Sequence, residues 1–234
     1  MAVVVFLLGR SGTGKSLAAR YIKTLLDPKT SDSRKLEPSS AGSTLARDWQ
    51  VEHITDYSFL LDMFKKERES GISENARKFR QTAYDGFDVV DFSVLNTALE
   101  MVNEKVCRQL GDQRKLILVE FARNNYSDIQ QIFKEAYSEA YFLCFEAKIE
   151  TCIQRVQARA ERKETVNDNF VSEKIMREYY GADYSNDWLA SKNDKVEIIQ
   201  NDGTWEEFGD KIQKFLENRL HLNRASDLAL PSFA

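Results

Sequence analysis

The chain has 234 residues, 42% of them hydrophobic, and a net charge of −4. That length suits one α/β domain with insertions, and the mild negative charge provides no global attraction to nucleic acid or to an acidic membrane. Only Cys107, Cys144 and Cys152 are present, in apolar or helical contexts and with no Cys-x-x-Cys pair, the usage of buried thiols in a reducing cytoplasm.

The first element is the apolar run Ala2 to Leu8. It is too short to span a bilayer and lacks the basic lead of a secretion signal, so it is read as a buried strand with no membrane anchor. Directly after it, Gly9-Arg10-Ser11-Gly12-Thr13-Gly14-Lys15-Ser16 spells G-x-x-x-x-G-K-S, the loop that cradles phosphates between a strand and a helix. Its glycines allow backbone N–H groups to converge on one polyphosphate. Lys15 adds a cation, the Ser16 hydroxyl suits Mg²⁺, and the helix opened by Ser16 and Leu17 points its positive end at the same place. The nucleotide-facing set is therefore Gly9, Ser11, Gly12, Thr13, Gly14, Lys15, Ser16 and Leu17, with ATP and Mg²⁺ as the implied ligands.

A helix is predicted over Ser16–Leu26, then a mobile loop over about 27–50, rich in Ser and Thr and holding Pro28 and Pro38. A weaker extended stretch, Val51–Thr55, precedes a helix over Phe59–Glu69. From Trp49 to Asp91, charges of both signs alternate with aromatics, and the acceptor contacts are expected here. Carboxylates such as Asp56 and Asp91 would orient and deprotonate a hydroxyl, while Arg77 and Arg80 would hold a phosphate already on the acceptor. Phe92, Leu95, Leu99, Val102 and Val106 recur at helical spacing in a helix ending at Leu110.

Lys115–Phe121 is the second continuous apolar run, and Glu120 at its tip supplies the hard oxygen that a metal beside the phosphates needs. Arg123, three residues on, would steady transition-state charge. After a helix over Asp128–Tyr137 and a strand over Ala140–Phe145, the helix Ile149–Arg162 carries Arg155, Arg159 and Arg162 in a row beside its apolar stripe. The polar stretch beyond, with Asp168, and a helix over Val171–Tyr180 read as a lid, spanning about 155–180, that closes guanidinium groups onto a transferring phosphate. A last strand, Lys195–Ile199, runs into Asn201-Asp202-Gly203, which lies beside the phosphate loop in such a topology, so Asn201 is expected to border the nucleotide. A helix over Trp205–Leu220 and a frayed tail, 223–234, complete a single domain over 1–222. His53 and His221 show no partner in sequence and are read as structural.

Four stretches, Gly9–Ser16, Leu116–Arg123, Cys152–Arg162 with Asp168, and Val196–Gly203, give the sequence a resemblance to the P-loop kinases of small molecules: nucleoside monophosphate, deoxynucleoside, shikimate and gluconate kinases. The resemblance implies a five-stranded parallel sheet of order 2-3-1-4-5 with helices on both faces, ATP·Mg²⁺ on the loop, the arginine segment as lid, and phosphate transfer to a small molecule such as a nucleoside or nucleotide. Lys15, Glu120, Arg123, Arg155 and Arg159 would be catalytic, Ser16 and Glu120 would hold the metal, Arg159 and Asn201 would join the nucleotide site, and Asp56, Arg80 and Asp91 would bind the acceptor. Those kinases often carry Asp at the strand tip, where this chain has Glu120-Phe121-Ala122-Arg123. An ATPase or nucleotide-sensing module and a polynucleotide kinase are the alternatives, the last disfavoured by the charge, and a second copy of the chain is a candidate partner.

Overall fold

The structure is a computed structural model that describes residues 1–27, 45–46, 48–162, 169–180, 189, 191 and 194–222. Most of the expected loop over 27–50, the tail and Asp168 lie outside the described residues.

The strand β1 (Val3–Leu8) is apolar throughout because it lies in the middle of a parallel sheet covered on both faces. Alternate residues serve opposite cores. Val5 and Leu7 pack with Ala18 and Ile22 of α1 (Lys15–Leu26). Val4, Phe6 and Leu8 pack with Leu99 and Val102 of α3 (Ser93–Cys107), the helix that follows α2 (Asp56–Glu69). The sheet also contains β2 (Gln50–Thr55), β5 (Lys115–Glu120), β6 (Tyr141–Glu146) and β7 (Val196–Gln200). Its order is β2-β5-β1-β6-β7, every pairing parallel, which is the expected 2-3-1-4-5 order among the five strands of the sheet. The order reverses at β1, and the carboxyl ends of β1 and β5 therefore open onto a crevice. Register sets Leu7 opposite Glu120 and Thr55 opposite Glu120 on the other side.

Two extra strands, β3 (Phe79–Gln81) and β4 (Phe87–Val89), form an antiparallel hairpin that the sequence reading did not anticipate. Its turn is closed by the Gly86 N–H donating to Ala83 O at 3.0 Å, with Tyr84 and Asp85 both left-handed at φ 57° and 54°. Such a turn normally calls for Asn or Gly at both central positions. Phe79 and Phe87 of the hairpin join Leu60 and Phe64 of α2 and Leu95 and Ala98 of α3 in a separate small core.

Several helices differ from their expected form. The predicted helix over Asp128–Tyr137 is two single turns, α4 (Ile129–Ile132) and α5 (Lys134–Tyr137), broken at Phe133, where ψ is 41°. The break seats the Phe133 ring in the core, 4.9 Å from Phe6. Phe92, expected on the buried stripe of α3, precedes the helix and is 46% exposed, stacked on Tyr179. The chain continues through α6 (Ile149–Arg162), α7 (Glu173–Tyr180) and α8 (Trp205–Asn218). The Thr204 hydroxyl and the Glu207 carboxylate cap the start of α8 reciprocally. Cys144 and Cys152 are buried and Cys107 is half-buried, all three as free thiols. Among the described residues no helix is long and apolar enough to cross a membrane.

Phe6 is fully buried against Phe121, Phe133 and Phe142. Phe6→Ala is expected to lower unfolding free energy by about 3–5 kcal/mol in urea titrations; a loss below about 1 kcal/mol would contradict this account of the core.

Candidate active site

The loop between β1 and α1 is held by contacts that leave no room for other residues. A Cβ on Gly14, where φ is 101°, would lie 2.5 Å from Asn201 Nδ2, and one on Gly12, where φ is 85°, would lie 2.5 Å from the Cys152 carbonyl. The Gly9 N–H donates to the Tyr126 hydroxyl at 2.6 Å, and the Asn201 amide donates to Thr13 O at 2.8 Å. Asn201 thus lies beside the loop and fastens it. The Thr13 hydroxyl is turned inward, donating to Arg10 O at 2.9 Å.

Lys15 is buried and donates to the carbonyls of Gly9 (3.0 Å) and Arg10 (2.9 Å). Loss of water pushes its ammonium below the ordinary lysine value, against the opposing pull of Glu120. Next to it the Ser16 hydroxyl donates to Glu120 Oε1 at 2.7 Å, and His53 Nε2 lies 2.9 Å from Glu120 Oε2. Burial raises the Glu120 pKa, but the His53 hydrogen bond and charge, then Lys15 and Ser16, outweigh it and hold the carboxyl at about 2. Glu120 is therefore ionised at any physiological pH. His53, read from sequence as merely structural, is its partner. The parallel register predicts this once the strands are known, because His53 and Thr55 share a face of β2 and Thr55 sits opposite Glu120.

Beyond the loop is a cavity of about 140 Å³ bordered by Lys15, Ser16, Asp56, Glu120, Arg123 and Arg159 on its polar side. Arg123 is buried, and its Nε has no hydrogen-bond partner among the described residues. Its Nη1 donates to Asp56 Oδ2 at 2.7 Å and to Ala122 O at 2.7 Å, and its Nη2 donates to Leu95 O at 2.9 Å. Burial raises the Asp56 carboxyl above its ordinary value, and Arg123 pulls it back. Arg159 reaches the cavity from α6 and donates to Asn169 O at 3.0 Å.

Other expected site residues lie elsewhere. Arg155 does not border this cavity; with Leu17, Asn201, Gly203 and Trp205 it lines a separate one of about 190 Å³ on the far side of Gly14. Its Nη1 is buried with no hydrogen-bond partner among the described residues. Arg162 is exposed. Arg80 is half exposed on the hairpin and donates to Asp88 Oδ2 at 3.0 Å. Asp91 is half-buried and accepts from the Ser93 N–H at 3.0 Å, a bond that lowers its pKa and lies just before α3. Neither Arg80 nor Asp91 is among the cavity's lining residues.

Neither a protein-family model nor a curated protein matches the sequence. Solved structures do resemble the chain. Kti12 from Chaetomium thermophilum, in complex with ADP-AlF3, is similar over 92% of this chain and 98% of its own, at 13% identity and a TM-score of 0.54. A gluconokinase from Sinorhizobium meliloti 1021 is similar over 92% of this chain and 91% of its own, at 11% identity and a TM-score of 0.50. This chain has the P-loop kinase fold. Identities this low carry the architecture and not the substrate.

Within the P-loop kinase fold, the helix pair α6 and α7 that flanks residues 163–168 packs on its own small core of Ala147, Cys152, Val156, Met176 and Tyr180. Tyr180 lies 3.3 Å from the Ser11 hydroxyl, so α7 touches the phosphate loop. The hairpin grips the same segment. Asp88, 1% exposed, accepts from the Ser172 N–H at 3.0 Å and from its hydroxyl at 2.7 Å. These contacts were invisible in the sequence, where Asp88 was one acid among many.

A carboxyl whose folded pKa lies below its unfolded value contributes stability that is complete above the unfolded value and lost as pH falls through the folded one. For Glu120 the window runs from its ordinary 4.5 down to about 2. Glu120→Gln is therefore expected to be less stable than the parent at about pH 6, with the difference in urea midpoint shrinking as pH falls from about 5 towards 3. A difference independent of pH would contradict the assignment.

Proposed function

We propose that the chain is an ATP-dependent phosphotransferase that moves the γ-phosphoryl group to a hydroxyl of a small molecule. The observation that carries this reading is the hydrogen bond of 2.7 Å between Ser16 and Glu120 beside the buried Lys15, at the mouth of a cavity that also holds a second carboxylate, Asp56. The Kti12 structure of the same fold is a complex with ADP-AlF3, which supports nucleotide on the loop. The three free thiols and the lack of an apolar spanning helix among the described residues are compatible with work in the cytoplasm.

Ser16 and Glu120 present two hard oxygen donors, the chemistry Mg²⁺ selects, and phosphate and water oxygens would complete its shell. Bound there, the ion would neutralise charge on the β- and γ-phosphates. Lys15 exchanges the carbonyls of Gly9 and Arg10 for phosphate oxygens, so the buried ammonium gains an anionic partner in place of two dipoles. Arg159 meets the charge that spreads over the equatorial oxygens. Asp56, its pKa raised by burial, accepts the proton of the attacking hydroxyl while the bond from the γ-phosphorus to the ADP oxygen breaks, and Arg123 fixes the carboxylate's orientation. No covalent enzyme intermediate is needed. Arg155 and Trp205 border the other side of Gly14 and take the base of the nucleotide instead of a catalytic part.

Lys15→Ala is expected to reduce ATP-dependent turnover at least about 100-fold with an unchanged circular dichroism spectrum. Arg159→Ala is expected to lower kcat about 10-fold or more with the KM for ATP little altered. Steady-state kinetics by ADP release checks both, and full activity in Lys15→Ala would overturn the reading.

A further inference from the structure

We infer that the hairpin β3–β4 sets the place of Arg159 for phosphoryl transfer, with Asp88 and Gly86 as positioning residues that act through segment 169–172 and not by contact with the transferred group. This inference rests on the phosphotransfer reading, in which Arg159 meets the charge of that group. Asp88 is the first ground. Its side chain is 1% exposed, and a carboxylate at that depth is costly without partners. Arg80, opposite it in the ladder, donates to Oδ2 from a half-exposed position, but the other two donors lie off the hairpin. Oδ1 takes the Ser172 N–H and Oδ2 the Ser172 hydroxyl. An apolar side chain would fill the same space without the cost of burying charge. What the carboxylate adds is a directed hold on one N–H and one hydroxyl of a residue 84 positions away.

Gly86 is the second ground. Its φ of −81° and ψ of −179° are open to any residue, so the backbone does not call for glycine there. The neighbouring segment does. A Cβ on Gly86 would lie 2.8 Å from Phe170 O and 3.1 Å from Asn169 Oδ1, as well as 2.8 Å from Thr82 Oγ1. Hairpin and segment thus approach more closely than a methyl group allows. The turn before Gly86 adds a further contact, since Tyr84, left-handed at φ 57°, sets its ring 5.6 Å from that of Phe170. A tyrosine held in that conformation carries a backbone cost that packing must offset.

Arg159 is where these contacts lead. The hairpin touches Asn169, Phe170 and Ser172, and the Asn169 carbonyl accepts from both Nε and Nη2 of Arg159, at 3.3 and 3.0 Å. A carbonyl shared by two donors of one guanidinium fixes its tilt as well as its distance. Displacing a charged group by about 1 Å from its productive place is enough to cost much of its effect on a transition state.

The test is calorimetric titration of the full chain with MgADP, alone and with aluminium fluoride, which takes the place of the transferring phosphoryl group. In the parent, aluminium fluoride is expected to tighten MgADP binding at least about 100-fold, and Arg159→Ala should lose most of that gain. Asp88→Asn and Gly86→Ala should each cut the gain at least about fivefold while changing the affinity for MgADP alone less than about twofold. Combined with Arg159→Ala, neither should reduce the gain further, because a residue that acts only through Arg159 then has nothing to place. A hairpin that served stability alone would leave the gain intact or lower it equally with and without Arg159. Gly86→Ala removes no hydrogen-bonding group and decides the matter if Asp88→Asn fails to fold. A full gain in any folded single variant, or losses that add to that of Arg159→Ala, would overturn the inference. The two levels separate in the parent. If MgADP fails to bind, the phosphotransfer reading falls and takes the inference with it; if MgADP binds and aluminium fluoride adds nothing, nucleotide binding stands and the role given to Arg159 falls with the hairpin's.

Discussion

The site depends on one carboxylate delivered to one hydroxyl. Glu120 ends β5, Ser16 begins the second residue of α1, and no local rule brings residues 104 positions apart to 2.7 Å. The parallel pairing of β1 with β5 does so, because it sets Leu7 level with Glu120 and the loop that leaves β1 must turn back over the tip of its neighbour. Burying a carboxylate at that tip is expensive without partners. Ser16, His53 and Lys15 supply them, from the phosphate loop, from β2 and from the start of α1. The strand order therefore has an electrostatic meaning: β5 lies between β1 and β2, and the helix that follows β1 and the strand β2 each contribute groups that keep Glu120 charged.

Around this centre the protein is organised by shared fastenings. The phosphate loop is gripped by Tyr126 at Gly9 and Asn201 at Thr13 and touched by Tyr180 at Ser11, from three separate segments of the chain. The hairpin adds a longer linkage. Asp88 holds Ser172, the segment containing Ser172 also presents the Asn169 carbonyl, and that carbonyl holds Arg159 over the cavity. Arg80 compensates the charge of Asp88 from the solvent side. The position of the Arg159 guanidinium on α6 is thus set in part by a small antiparallel ribbon far from it in sequence, a two-stranded unit too small to stand alone that packs onto α2 and α3.

How much of this could be read from the chain follows from the range of the forces involved. The loop from Gly9 to Ser16, the strands β1, β5 and β6 and Glu120 were legible because each is written locally, as a glycine pattern, as an unbroken apolar run or as a charge at the end of one, whereas β2, with Glu52 and His53 inside it, showed only as a weaker extended stretch. The hairpin was not, since strands of three residues have too few positions to show a period, and its turn uses Tyr84 and Asp85 where Asn and Gly would have announced it. The break at Phe133 was hidden because an aromatic at helical spacing reads the same whether it continues a helix or interrupts one to fill a core. His53 looked partnerless because its partner lies 67 residues away. Arg155 and Arg159 are four residues apart on one helix, close enough to look like a single row, yet each borders a different cavity.

The pairing of Asp56 with Arg123 follows from the same logic and shapes the chemistry. An arginine three residues after the strand tip looks from sequence like a free cation for the transition state. In the fold its guanidinium is anchored by a carboxylate and two carbonyls, so it cannot swing to a phosphate without leaving Asp56 buried and unpaired. Separating such a pair costs several kcal/mol, more than one added phosphate contact returns. In the proposed reaction Arg123 therefore positions Asp56, and Lys15 and Arg159 meet the charge of the transferred group. In the proposed reaction Asp56, its pKa raised by burial and its carboxylate held by an ion pair, takes the proton of the attacking hydroxyl, so the same contact that buries the base also orients it.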